Sequence, residues 1–265
     1  MYVSCAGPTT GPSSKDGGFP NGGLVAIDIA TQATTTLASG RDGMKQGVDC
    51  DGDGNVYWSD RFGTYIWNGS TSSASLGFVS WGLAVHGTDL FVAGTPPRQR
   101  QLDGTLIGTF GSGMGSFPQF RGIDANNNFV IYLDHANNSP KVFIYNRSAG
   151  TNSNFNIAWN PTDVFIVSNS EAYISGMGGD RFLYVNPSNP VDRSAHALSS
   201  FHGGSGSGLV FTPNKSRCFL TAGQINPDTT DSSQDDESTG ASDIGILELE
   251  VVVTDLFWRT HHFVS

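Results

Sequence analysis

Lysine is nearly missing from this chain: only Lys15, Lys45, Lys141 and Lys215 occur, and 24 acidic residues outweigh 14 Lys and Arg for a formal charge of -10. A pI near 4.8 excludes a binder of phosphate backbones, which carries a basic face, so no nucleic-acid partner is expected. No run approaches the roughly 18 apolar residues of a membrane span, and residues 1–30 lack a basic start followed by an apolar stretch. The expectation is a soluble protein without membrane insertion, and without a signal peptide in the chain as given. Cys5, Cys50 and Cys218 have no metal-type spacing and read as buried thiols. A G-x-S-x-G elbow, a P-loop and an H-E-x-x-H motif are all absent.

What the chain does have is glycine, 34 residues, and phenylalanine, 17, within a hydrophobic fraction of only 37%. Short strands joined by turns account for that combination, because turns need residues that tolerate positive φ. Six hexamers share one build, apolar in the middle and Gly or Asp at the end: "YVSCAG" 2–7, "NVYWSD" 55–60, "DLFVAG" 89–94, "FVIYLD" 129–134, "EAYISG" 171–176 and "CFLTAG" 218–223. Five follow a second β-prone stretch across a turn rich in Gly, Asn, Asp or Lys, as in "GVDCDG" 47–52 before "NVYWSD". Such turns join antiparallel hairpins. We call the two strands A and B.

A third run C follows each B, as in "VFIYNR" 142–147 or "RQLDGT" 100–105, and a weaker fourth run follows most copies. Units of about 40 residues with four strands define a β-propeller. The sequence therefore predicts an all-β, six-bladed propeller in a single domain over 1–265, with blades near 1–39, 45–79, 80–111, 117–158, 160–200 and 203–258. The first copy has no room for a strand A. The tail "RTHHFVS" 259–265 is expected to supply it, closing the ring by pairing with the N-terminal blade.

"GVDCDGDGNVYWSD" 47–60 and "GIDANNNFVIYLD" 122–134 resemble the blade pattern of the six-bladed group that includes NHL repeats, YWTD repeats and gluconolactonase-like enzymes. The resemblance implies the propeller fold. It also raises a metal-dependent lactonase-like hydrolase as the alternative function, with a divalent ion held in a central channel. The starts of the A strands, Gln46, Trp81, Arg121, Thr162 and Ser207, lack the cluster of carboxylates that a hard cation needs. Counted from Asp51, an EF-hand loop needs Gly at its sixth position and Glu at its twelfth, where Val56 and Phe62 stand. "DGDGN" is therefore read as a turn.

The repeat sorts residues by the end of the blade on which they fall. Asp60 and Arg61, and Asp134 and His135, close B strands; Trp81 and Arg121 open A strands. An aromatic ring, guanidinium groups and carboxylates at one end suit a sugar or a peptide, through stacking and paired hydrogen bonds. These six are the predicted ligand-binding residues, and no catalytic or metal-ligating residue is predicted. No cofactor is expected, Ca²⁺ ordering of the acidic loop 224–242 being the one exception weighed. The expected function is a non-enzymatic interaction propeller that contacts a protein or glycan, able to join a larger complex, and extracellular or virion-surface by its lysine-poor composition.

Overall fold

The computed structural model describes residues 2–5, 22–28, 30–31, 33–41, 47–59, 63–69, 74–80, 82–111, 120–134, 139–177, 181–197, 206–212, 217–222, 244–252 and 255–263. They form six antiparallel sheets, in each of which consecutive strands are neighbours. The first has three strands, β1 (Tyr2–Cys5), β2 (Gly22–Ile27) and β3 (Thr34–Arg41). The second holds β4 (Val48–Cys50), β5 (Val56–Ser59), β6 (Thr64–Trp67) and β7 (Ala74–Ser75). The third holds β8 (Leu83–His86), β9 (Asp89–Val92), β10 (Arg98–Gln101) and β11 (Leu106–Thr109).

The fourth holds β12 (Phe120–Ala125), β13 (Phe129–Asp134), β14 (Lys141–Asn146) and β15 (Thr151–Asn156). In the fifth are β16 (Asn160–Ser168), β17 (Glu171–Met177), β18 (Arg181–Val185) and β19 (Arg193–Ala197). The last sheet has β20 (Gly206–Phe211), β21 (Arg217–Ala222), β22 (Ile244–Val252) and β23 (Asp255–Phe263). Sheets two to five are described down to most of their side chains. The chain divides into two compact units, Met1–Asn156 and Ile157–Ser265. Within the first, β4 lies beside β8 and β8 beside β12; within the second, β16 lies beside β20.

The B strands β5, β9 and β13 are buried along nearly their whole length, covered on both faces. Side chains alternate across a strand, and in β5 Val56 and Trp58 join Leu24 and Tyr65 in one core while Tyr57 joins Leu83, Leu90 and Val92 in the next. In β9, Leu90 and Val92 face that second core, and Phe91 enters a third with Phe110, Val130 and Tyr132. Full burial of such a side chain stabilises by roughly 2–3 kcal/mol, so β5 and β9 each lock together neighbouring sheets.

Three expectations are corrected. Cys50, read as a buried thiol, is exposed at the end of β4, where the chain enters the A–B turn. The predicted third run 100–105 straddles a hairpin: Gln101 N–H donates to Thr105 O at 2.8 Å, so Leu102–Thr105 is the turn between β10 and β11. The tail does not become an inner strand of the first sheet. Arg259–Phe263 pairs with Ile244–Glu248 as the outer part of β23, within a ladder that runs unbroken from Val252↔Asp255 to Ile244↔Phe263. A nine-residue antiparallel pairing satisfies more backbone groups than a short join elsewhere could. Val264 and Ser265 lie outside the described residues.

Candidate functional site at the ends of the B strands

The A–B turns make one end of the sheets, and that of the second sheet is closed by its own side chains. Asp51 Oδ1 accepts the amides of Asp53 at 3.0 Å and Asn55 at 2.9 Å, while Oδ2 accepts Asn55 Nδ2 at 2.7 Å and Tyr57 Oη at 3.2 Å. Burial alone would raise the Asp51 carboxyl, but the Asn55, Asp53 and Tyr57 donors hold it below its usual value. Tyr57 is pushed up to about 12, by burial first and then by the Asp51 charge. With every lone-pair direction facing a donor, this carboxylate closes a turn, as its spacing predicts.

Adjacent sheets are fastened near their first strands. Asp49 Oδ2 accepts the amide of Val85 in the next sheet at 2.7 Å, and Oδ1 accepts that of Cys50 at 2.8 Å. Asp163 repeats the device in the second unit, taking Leu209 N at 2.7 Å and Val164 N at 2.9 Å. Ala84 holds the corresponding place in β8 and accepts nothing through its side chain. The seam between the third and fourth sheets is closed differently: Asp89 Oδ2 pairs with Arg147 at 3.0 Å, Arg147 lies 4.9 Å over the Phe91 ring, and His86 Nε2 meets Asn127 Oδ1 at 2.9 Å.

The other end of the sheets is where buried polarity collects. Among the described residues the buried polar side chains are Ser59, Thr64, Ser80, Asp134, Thr162 and Ser175. Each lies where a B strand ends, where a C strand begins or where an A strand begins. Thr64 Oγ1 and Ser80 Oγ are 3.1 Å apart, and Thr162 Oγ1 and Ser175 Oγ repeat that distance in the fifth sheet. Ser59 Oγ is buried without a hydrogen-bond partner. A buried hydroxyl left unpaired costs on the order of 1–3 kcal/mol, which a bound water or ligand group would relieve.

Of the six predicted binding residues, Asp60, Arg61, Trp81 and His135 lie outside the described residues. Asp134 is buried at the end of β13, opposite Phe120 on one side and Lys141 on the other. Arg121 follows Phe120 in β12, so the backbone sets it at the same end of the same sheet as Asp134. Sequence reasoning missed the hydroxyls. A signal existed in the repeat, since Ser59 and Ser175 hold the same fifth position of "NVYWSD" and "EAYISG". Among the described residues no group of three or more His, Cys, Asp or Glu could hold a metal ion, and the acidic loop 224–242 lies outside them.

This repeated arrangement is that of a β-propeller built from antiparallel four-stranded blades. Solved structures agree. The chain is similar to one in a nidogen/laminin complex, with a TM-score of 0.66 at 14% identity over 92% of this chain and 90% of that one. It is similar to a putative TolB from Agrobacterium tumefaciens, with a TM-score of 0.61 at 10% identity over 89% of this chain and 87% of that one. Streptogramin B lyase matches with a TM-score of 0.54 at 10% identity over 83% of each chain. At these identities the likeness establishes the β-propeller fold alone. No protein-family model matches the chain, and no curated protein is significantly similar to it in sequence.

Proposed function

We propose that this is a non-enzymatic binding propeller, a single domain whose six sheets are the blades of one ring. The B-strand ends present its binding surface to a protein or glycan outside the cell or on a virion. The gathering of buried hydroxyls and Asp134 at that one end of the sheets, with Ser59 Oγ unsatisfied, carries the reading. Polar groups are costly to bury without partners and are found where something must be held. A propeller neighbour whose structure is a nidogen/laminin complex shows this fold within a protein–protein assembly.

The test is a glycan array together with a size measurement on the purified chain, repeated with Trp81→Ala and Arg61→Ala. A ligand whose binding is lost in both variants at unchanged melting temperature supports the reading. One tightly bound divalent ion per chain together with lactone hydrolysis would replace it with the lactonase-like alternative. A single ring requires a radius of gyration of about 18 Å for a chain of this length; a clearly larger value would separate the two units.

A further inference from the structure

The outer strands of the second, fourth and fifth sheets are small or polar apart from Phe155: "AS" in β7, "TNSNFN" in β15 and "RSAHA" in β19. Residues of this kind suit a sheet edge that is to stay unpaired. β11 departs from them. It is the terminal strand of its sheet, and it leaves Leu106 52% and Ile107 50% exposed, two of the five large apolar side chains so exposed among the described residues.

The register shows how the pair is presented. Gln99 pairs with Gly108 and Arg100 with Leu106, so a bulge leaves Ile107 as the extra residue and sets Leu106 and Ile107 together opposite Arg100. Bulges at sheet edges re-aim side chains. Arg98 and Arg100, two apart on β10, lie on one face of the sheet. Neither has a carboxylate within ion-pair distance among the described residues, in contrast to Arg147 with its Asp89. Arg100 is held in place, stacked 4.1 Å over the Phe78 ring with Nη1 donating to Gly104 O at 2.6 Å, and its Nε has no partner. Burial, and then the charge of Arg98, press its pKa down. Two guanidiniums without acids, in a chain of net charge -10, stand beside an apolar knob.

We propose that the β10–β11 edge is a docking surface for an acidic segment of a partner protein, which sets an apolar side chain on Leu106 and Ile107 and carboxylates on Arg98 and Arg100. Charge complementarity selects this occupant. A two-fold contact between copies through the same edge would place the guanidiniums of one chain against those of the other, and like charges brought together oppose association.

The probe is a fluorescein-labelled peptide of alternating Glu and Leu, with its Lys/Leu counterpart as control, titrated by anisotropy. The acidic peptide is expected to bind more tightly than the basic one and to weaken with added salt. Arg98→Glu, and separately the double variant Leu106→Ser/Ile107→Ser, should each weaken it by about tenfold or more. All three positions are at least partly exposed, and an unchanged circular-dichroism melt confirms that the variants fold. Val191→Ser, at an exposed position in the β18–β19 turn of the fifth sheet, should leave peptide binding as it was. Equal binding of the two peptides, no binding of the acidic peptide to 1 mM, or no effect of the variants overturns the proposal. Concentration-dependent self-association abolished by Leu106→Ser/Ile107→Ser overturns it in favour of a second copy.

Discussion

Two aspartates two positions apart have opposite electrostatics. Asp51 is held below its ordinary value by its donors, whereas burial raises Asp49 to about 6, only partly offset by the Val85 and Cys50 amides and by His86. Between about pH 4 and 6 the folded chain therefore keeps a proton on Asp49 that the unfolded chain has released. The stability this group contributes is complete below about pH 4 and is lost as pH rises through about 6. Urea midpoints measured from pH 4.5 to 7.5 should fall more steeply for the native chain than for Asp49→Asn, which has no such proton; parallel curves would refute this. Asp51→Ala should cost about 1–3 kcal/mol in chemical denaturation, since it frees the donors of Asp53, Asn55 and Tyr57 at once. That role was legible in the sequence, because a turn carboxylate meets donors only a few residues away. Asp49 was not legible, since its deciding partner, Val85, is 36 residues distant.

Among elements, the hairpins follow from local pattern. "VYWS" is buried throughout because both faces of β5 are covered, and Gly54 supplies the turn before it with a φ of 85°. Gly47 is required for another reason: a Cβ there would stand 2.7 Å from Leu83 N, where two first strands approach. Gly47→Ala should cost about 1–3 kcal/mol, read as a lower thermal midpoint. The seam between the third and fourth sheets rests on Arg147. Arg147→Ala should destabilise by about 1–3 kcal/mol, and a double-mutant cycle with Asp89→Ala should give a coupling near 1 kcal/mol; additive effects would mean that the ion pair fastens nothing. The sequence misplaced the third strand of that sheet, since "RQLDGT" has no apolar alternation from which to locate the turn at Leu102–Thr105.

On the scale of the whole molecule, truncation tests what the tail contributes. Removing 264–265 should leave the melting temperature unchanged, while removing 259–265 should lower it, because Arg259–Phe263 is part of the β22–β23 ladder. The same drop in both truncations would show that the last two residues carry the effect. The four-strand repeat, and with it the propeller class, was determined by the sequence alone, for hairpin turns and continuously buried strands leave local signatures every 40 residues or so. That Asp134 and Arg121 fall at the same end of one sheet could be read in the same way. Tertiary structure alone decided how the sheets are joined: Asp49 to Val85, Asp163 to Leu209, and Arg147 to Asp89 where Ala84 replaces the carboxylate. It also decided where the tail pairs and that Leu106 and Ile107 of β11 stay exposed. Those outcomes depend on groups far apart in the chain competing for the same hydrogen bonds and the same cover, a competition that no local stretch of sequence records.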